Sequence, residues 1–311
     1  MYEISTTSSK TALLIGGSGF IGTVLAHRLT QSGYNAIIPC RKPELSGLRV
    51  LPDVKMVRAD IHDYNVLQQL CGQLTARDVV INLLGILQGS EGHPYGDAFR
   101  QAHADMPRKL IAAMNQCDVK RLLHVSALGA HTHGASMYQR SKGDGEQLVV
   151  NSGLKWTVFR PSVVFGQHDR FINMFSTMQK WLPIIPLAGA QVHFQPVFVG
   201  DVADSLVRSI ALEATIGQCY NLAGPDVFTL QQLVQFAGQL SARKRLIIPL
   251  PSPLAWLQAW MMEHLPGPTL LSRDNLRSMT VDNVLPPGAN NCLSHVFGIT
   301  PTGLSPAIWQ N

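Results

Sequence analysis

Cysteine is scarce in this chain and widely spaced. Cys40, Cys71, Cys117, Cys219 and Cys292 form no CxxC pair. That leaves no basis for a disulfide framework or a zinc site, and it suits free thiols in a reducing compartment. No apolar run approaches the roughly 20 residues that a membrane-crossing helix needs. The opening stretch MYEISTTSS is polar and lacks an apolar core, so export is not expected. Charge is sparse as well: 14% of residues are charged, the net charge is +5, and the one basic cluster is ARKRL at 242–246. Such scatter reads as a solvated surface, and nucleic acid is not an expected partner. Repeats and low-complexity segments are lacking too. What is present is 311 residues with 46% apolar content, enough for one large core or two smaller ones. A cytoplasmic protein is expected, with a reservation concerning residues 253–265.

The first half alternates β-like runs with helical patterns. TALLIG (11–16), NAIIP (35–39), VKMVRAD (54–60), DVVINLLG (78–85), KRLLHVSA (120–127) and KWTVFRP (155–161) read as strands. Helical stretches fall at 20–31, 63–71, 97–116 and 136–152. This alternation predicts βαβ units, a parallel sheet covered on both faces, and an α/β doubly wound fold of Rossmann type. Beyond Pro161 the pattern loosens. WLPIIPLAGAQ (181–191) reads as irregular, 194–210 as a strand or loop entering a helix, and GQCYNLAG (217–224) as one more strand. Helices are expected at 229–241 and 253–264, in a small C-terminal cap over the carboxyl edge of the sheet.

In IGGSGFIG, Gly16, Gly19 and Gly22 are spaced three apart, directly after a strand and opening a helix. The first permits the tight turn, the second a close approach of a pyrophosphate, and the third close helix–strand packing. Ser18, Phe20 and Ile21 belong to the same turn, whose helix N-terminus offers N–H groups and positive charge to phosphates. Residues 1–165 therefore read as a dinucleotide-binding domain whose core is revisited by 194–224, with 225–311 and 166–193 as the smaller cap. A carboxylate at the end of the second strand would hold the ribose hydroxyls of NAD. Arg41 and Lys42 stand there instead, and no acid appears before Glu44. Two cations suit a 2′-phosphate, so NADP(H) is favoured, with NAD(H) left open.

SMYQRSKGDGE places Tyr138 and Lys142 at i and i+4 on one helix face. An ammonium beside a phenol favours phenolate and makes the tyrosine a usable acid or base. Ser126, twelve residues before Tyr138 at the end of the fifth strand, could hydrogen-bond a substrate oxygen. Together these residues resemble the short-chain dehydrogenase/reductase superfamily in its extended or atypical branch. The resemblance implies that Asp60 and Ile61 meet the adenine, that Leu83, Leu84 and Gly85 lie by the ribose, and that Tyr138 and Lys142 are catalytic and anchor the ribose. FRPSVVFGQHDR, with Pro161 and Val163, resembles the segment that passes under the nicotinamide. More narrowly, AIIPCRK, VVINLLG, HVSALGA, YQRSKGDGE, VVFGQHDRFINMF and QPVFVGDVA are similar to the NADPH-binding accessory subunits of respiratory complex I and their bacterial relatives. In that family the nucleotide is usually regarded as structural. One departure concerns chemistry: extended sugar-nucleotide enzymes usually have a longer loop between the serine and the tyrosine. The short ALGAHTHGASM connection counts against epimerase or dehydratase activity and leaves cofactor binding undisturbed.

Two functions of different class follow. One is an oxidoreductase acting through Tyr138, Lys142 and Ser126 on a small carbonyl, quinone or sugar-nucleotide substrate. The other is a nucleotide-loaded structural, assembly or regulatory protein with a protein partner. His131 and His133 lack companions at ligand spacing, so no metal site is expected. His93 and His103 read as packed or solvent-facing residues, and Asp169 and Arg170 as structural. PLAWLQAWMMEHL (253–265) is apolar nearly all round: either a buried cap helix or a surface for a partner or for the inner face of a membrane, with Arg243, Lys244 and Arg245 nearby.

Overall fold

Strand β1 (Thr11–Ile15) carries apolar side chains on both faces because both faces are covered. Ala12 and Leu14 pack against Leu25, Ala26 and Leu29, whereas Leu13 and Ile15 pack against Leu67, Met106 and Leu110. The computed structural model describes residues 10–45, 47–266, 269–289 and 291–309. Around β1 stand β2 (Asn35–Cys40), β3 (Val54–Arg58), β4 (Val79–Asn82), β5 (Arg121–Val125), β6 (Lys155–Pro161) and β7 (Gln218–Leu222). They form one sheet of seven strands in the order β7-β6-β5-β4-β1-β2-β3, and every pairing is parallel. The sheet is the predicted Rossmann-type doubly wound one, and its order reverses between β1 and β4.

Helices α1 (Phe20–Gln31) and α6 (Val199–Ala211) cover one face. The other face is covered by α2 (Tyr64–Cys71), by α3 (residues 97–116), and by α4 (Met137–Val150). α3 is one continuous helix made of Asp97–Arg100, a π turn at Gln101–Asp105, and Met106–Gln116. Ser136 starts α4 with a capping box shared with Gln139, which matches the helix expected from residue 136.

A third apolar cluster lies beyond the sheet. It joins α5 (Phe171–Trp181), α7 (Leu230–Leu240) and Phe165, on which Trp309 stacks with ring centroids 6.0 Å apart. The stretch 181–191 is not wholly irregular, as its prolines and glycines led one to expect. Ile184–Leu187 is a strand pairing in parallel with Leu246–Pro249. Pro186 sits at the rim of a two-stranded ribbon, where the missing N–H is tolerated. α5 also had no counterpart in the reading of the sequence. α8 (Ser252–His264) lies against this ribbon, where Gln258 donates to the Pro186 carbonyl at 3.2 Å, and α9 (Arg273–Ser278) follows. Leu293, Phe297 and Ile299 return to the sheet and pack with Phe159 and Tyr220.

Candidate functional site

The residues singled out in the sequence converge on the carboxyl edge of the sheet, where doubly wound folds bind ligands. Gly16 follows β1 with φ of +79°, and a Cβ there would stand 3.1 Å from the Leu84 nitrogen. Only glycine lets the turn after β1 lie this close to the turn after β4. A Cβ on Gly22 would stand 2.4 Å from the Gly17 carbonyl oxygen, so the helix could not pack on the turn. Gly19 is the N-cap of α1, whose first turn has neither a side-chain cap nor an acidic residue. Its N–H groups and positive end are left for an anion. Ser18 is exposed and Ile21 half-buried, while the Phe20 ring lies beside Gly166, linking the turn to the segment after β6.

Arg41 and Lys42 are exposed just past β2 and form no ion pair among the described residues. Glu44, the first acid after β2, is held by Arg58 at 2.9 Å. Arg58 ends β3 opposite Cys40 in register, so a third cation sits at this corner. Asp60 is exposed and caps its own turn, accepting from the His62 N–H at 3.0 Å, and Ile61 packs into the core beneath.

Leu83, Leu84 and Gly85 form the turn after β4. The Leu83 N–H donates to the Ile15 carbonyl at 2.8 Å, and the Leu84 N–H donates to Asn82 Oδ1 at 3.1 Å. Lys142 is buried on α4, and its Nζ donates to the Val125 carbonyl at 2.9 Å and reaches the Leu84 carbonyl at 3.5 Å. The same Nζ lies 3.3 Å from where a Gly85 Cβ would stand. Burial pulls the Lys142 ammonium down to about 8, and Glu146 one turn along pulls it back up. Burial pushes the Tyr138 phenol up to about 12, so the lowered phenol expected from the Tyr-Lys spacing is not its state here. Lys142 spends its donors on backbone carbonyls. Ser126 Oγ is buried and has no hydrogen-bond partner among the described residues.

Reading the sequence missed a polar set beneath this pair. Asn82 Nδ2 meets His124 Nδ1 at 2.9 Å, and His124 Nε2 is buried without a partner among the described residues. The signal was available: Asn82 ends the apolar run VVIN, and His124 interrupts the apolar residues Leu122, Leu123 and Val125 of β5. His103 is packed in the π turn of α3. Its Nε2 accepts from the Ile86 N–H at 3.0 Å, so Nδ1 carries the proton and donates to Ser141 Oγ at 2.8 Å. Burial, then the positive Lys142, holds His103 down at about 2 and His124 at about 3, so both are neutral.

Pro161 ends β6 and its carbonyl accepts from the Leu128 N–H at 2.9 Å. Asn283 joins this edge from the far end of the chain, with Oδ1 accepting from Ser162 Oγ at 2.6 Å and from the Val163 N–H at 3.2 Å. Asp169 is buried and serves the start of α5, accepting from the Ile172 N–H at 2.6 Å. His131 and His133 are exposed in the β5–α4 loop with rings 5.7 Å apart, and no third acid, cysteine or histidine joins them among the described residues. His93 is exposed.

A glycine cradle at the β1/β4 reversal, bare helix donors and buried unpaired polar atoms fit a dinucleotide. They define a nucleotide-binding protein of doubly wound type. The sequence model of the NAD dependent epimerase/dehydratase family matches residues 12–223, and the chain belongs to that family. The chain is 29% identical over 294 residues to NADH dehydrogenase (ubiquinone) 1 alpha subcomplex subunit 9, mitochondrial, of Arabidopsis thaliana, covering 90% of this chain and 72% of that protein. The Mus musculus protein of the same name is 28% identical over 310 residues, covering 96% and 79%. Among solved structures, a Thermus thermophilus UDP-glucose 4-epimerase in complex with NAD superposes with a TM-score of 0.64 at 18% identity, covering 93% of this chain and 98% of that one. The expected likeness to short-chain dehydrogenase/reductase proteins and to complex I accessory subunits is borne out.

Proposed function

We propose that this protein binds NADP(H) across the β1/β4 reversal and acts as an oxidoreductase on a small carbonyl, quinone or sugar-nucleotide substrate. The observation that carries this reading is Lys142. An ammonium held in the interior at the end of β5, facing bare Gly85, is costly to bury and is placed where it can serve a ligand. Bound there, the nicotinamide supplies the hydride chemistry. Lys142 Nζ is placed to hold ribose hydroxyls, and its charge lowers the phenol once a ligand draws it from the Val125 carbonyl. Tyr138 Oη then exchanges a proton with the substrate oxygen, and Ser126 Oγ donates a hydrogen bond to it. Arg41 and Lys42 receive the 2′-phosphate, and Asp60 and Ile61 face the adenine.

A second reading has its own support. α8 exposes Leu254, Trp256, Leu257, Trp260 and Met261, and the exposed Arg243 and Lys244 precede the strand it packs against. Such a face fits peripheral contact with an anionic membrane, in keeping with a protein that holds NADPH for structural ends, as the likeness to complex I subunits suggests. No helix among the described residues is long and apolar enough to cross a membrane.

Native mass spectrometry of the purified protein, followed by turnover assays on Tyr138→Phe, separates the readings. Co-purified NADP(H) and a Tyr138→Phe variant that binds it but has lost turnover support the enzyme. Nucleotide retained with no turnover by the parent on carbonyl, quinone and sugar-nucleotide panels supports the holder. Turnover that is unchanged in Tyr138→Phe removes the tyrosine from the mechanism.

A further inference from the structure

The helix carrying Tyr138 and Lys142 is held at its start by more than its local cap. Ser136 Oγ accepts from the Gln139 N–H at 3.1 Å, the expected local arrangement. Two other first-turn donors go elsewhere. The Met137 N–H donates to Asp274 Oδ1 at 2.7 Å, and the Tyr138 N–H donates to Asp274 Oδ2 at 3.0 Å. Asp274 is buried, and it lies on α9, in a part of the chain distant in sequence from α4. First-turn N–H groups have no partner within their own helix and carry its positive end. A buried carboxylate spanning two of them fixes both the position and the direction of the helix start.

α9 is itself tied down on its other sides. Arg277 NH1 stands 3.9 Å from Asp274 and NH2 stands 3.7 Å from Glu91, and the guanidinium lies over the Trp256 ring at 5.5 Å. Arg273 pairs with Glu263 of α8 at 2.7 Å and with Glu91 at 3.2 Å. Glu91 belongs to the loop that begins with Leu83, Leu84 and Gly85. Asp274 is thus the point where α8, α9 and the loop after β4 meet the helix of the Tyr-Lys pair.

We propose that Asp274 is a positioning residue for Tyr138 and Lys142, and this inference rests on the dinucleotide reading of the site. Lys142 stands just over one turn beyond Met137, so a shift or fraying of the first turn moves its Nζ relative to Val125, Leu84 and Gly85. In the dinucleotide reading the adenosine end is built from β1, α1, β2 and β3, and among the described residues the hydrogen bonds and ion pairs of Asp274 go to α4 and its own helix instead. Loss of the carboxylate must therefore weaken one half of a bound dinucleotide and spare the other.

The test is calorimetric titration of Asp274→Asn with NADPH and with adenosine 2′,5′-bisphosphate, which reaches only the adenosine end. NADPH affinity is expected to fall about three- to tenfold, the usual scale for a lost helix cap, while bisphosphate affinity stays within about twofold of the parent. Asp274→Glu should recover part of the loss. Should Asp274→Asn fail to fold, Arg277→Met, which leaves the carboxylate in place but unsupported, should reproduce the split at about two- to threefold. Equal weakening of both ligands, or NADPH affinity unchanged in the folded variants, overturns the inference. A parent that binds neither ligand overturns the dinucleotide reading itself, and the inference with it.

Discussion

Arg41 and Lys42 are two exposed cations at the end of β2, with Arg58 and its partner Glu44 at the same corner. An exposed lone cation contributes little to folding, so its value lies in what it meets. A guanidinium can grip a phosphate by two parallel N–H bonds, worth on the order of 1.5–3 kcal/mol when charge-assisted. Arg41→Ala should therefore weaken NADPH by roughly ten- to a hundredfold and leave NADH nearly unchanged. Calorimetry with both nucleotides checks this. A variant that keeps the parent's preference shows that the 2′-phosphate is held elsewhere, with Arg58 the first place to look.

α8 buries only Ala255 and Ala259. These small residues, one turn apart, let the helix pack on Ala188 just past the ribbon and on Leu276 of α9, while the large side chains named next stay partly exposed. Trp256 is 39% exposed, Trp260 48% and Met261 50%, and Trp181 at the end of α5 is 82% exposed. Exposed apolar side chains of this size on one helix are the observation behind the contact face proposed above. Replacing Trp256 and Trp260 by Ser should lower stability, because the covered half of each ring and the Trp256 cation–π contact of about 0.5–1 kcal/mol are lost together, so the variant is compared with the parent well below its Tm. The same double variant should lose flotation with anionic liposomes at low salt, which the parent should display and which added salt should weaken. Tryptophans shielded from acrylamide in a parent that does not float would remove the membrane from the account.

At the scale of the whole molecule, His103 and His124 are buried neutral, with pKa values near 2 and 3 against about 6.5 in the unfolded chain. Below pH 6.5 the unfolded state takes up protons that the folded state refuses. The stability these residues allow is therefore complete above 6.5 and is lost as pH falls, at about 1.4 kcal/mol per pH unit for each histidine. Asp169 acts in the opposite sense. Burial raises it to about 6, so between pH 4 and 6 its folded form binds the extra proton and offsets one histidine. Burial raises Asp201 as well, so the net expectation over that range is a loss of stability on acidification shallower than the two histidines alone would give. His103→Gln, with one histidine left against Asp169, should flatten the slope. Denaturant titrations at pH 4.5, 5.5 and 6.5 check this, and a variant as steep as the parent would refute it.

The sheet and most of its helices were legible in the sequence because their signals are local. Apolar runs such as TALLI and VVIN, the glycine turn and the Ser136 cap depend on neighbours within a few residues, and strand ends then carry Gly16, Arg41, Asp60, Leu83 and Ser126 to one edge. The pairing of Tyr138 with Lys142 was legible for the same reason, since i and i+4 share a helix face. Tertiary structure decided the rest. Whether the phenol meets the ammonium depends on the Val125 and Leu84 carbonyls, which take the Nζ instead. The strand at Ile184–Leu187 exists because Leu246–Pro249 lies beside it, and nothing within WLPIIPLAGAQ announces that partner. Asp274 reads locally as an ordinary residue in the first turn of its own short helix, and only folding sets its carboxylate at the start of another. Local patterns determine elements, because propensity and periodicity act over single turns and strands. Long-range contacts determine where buried charges rest, because each must find its partner wherever in the chain that partner lies.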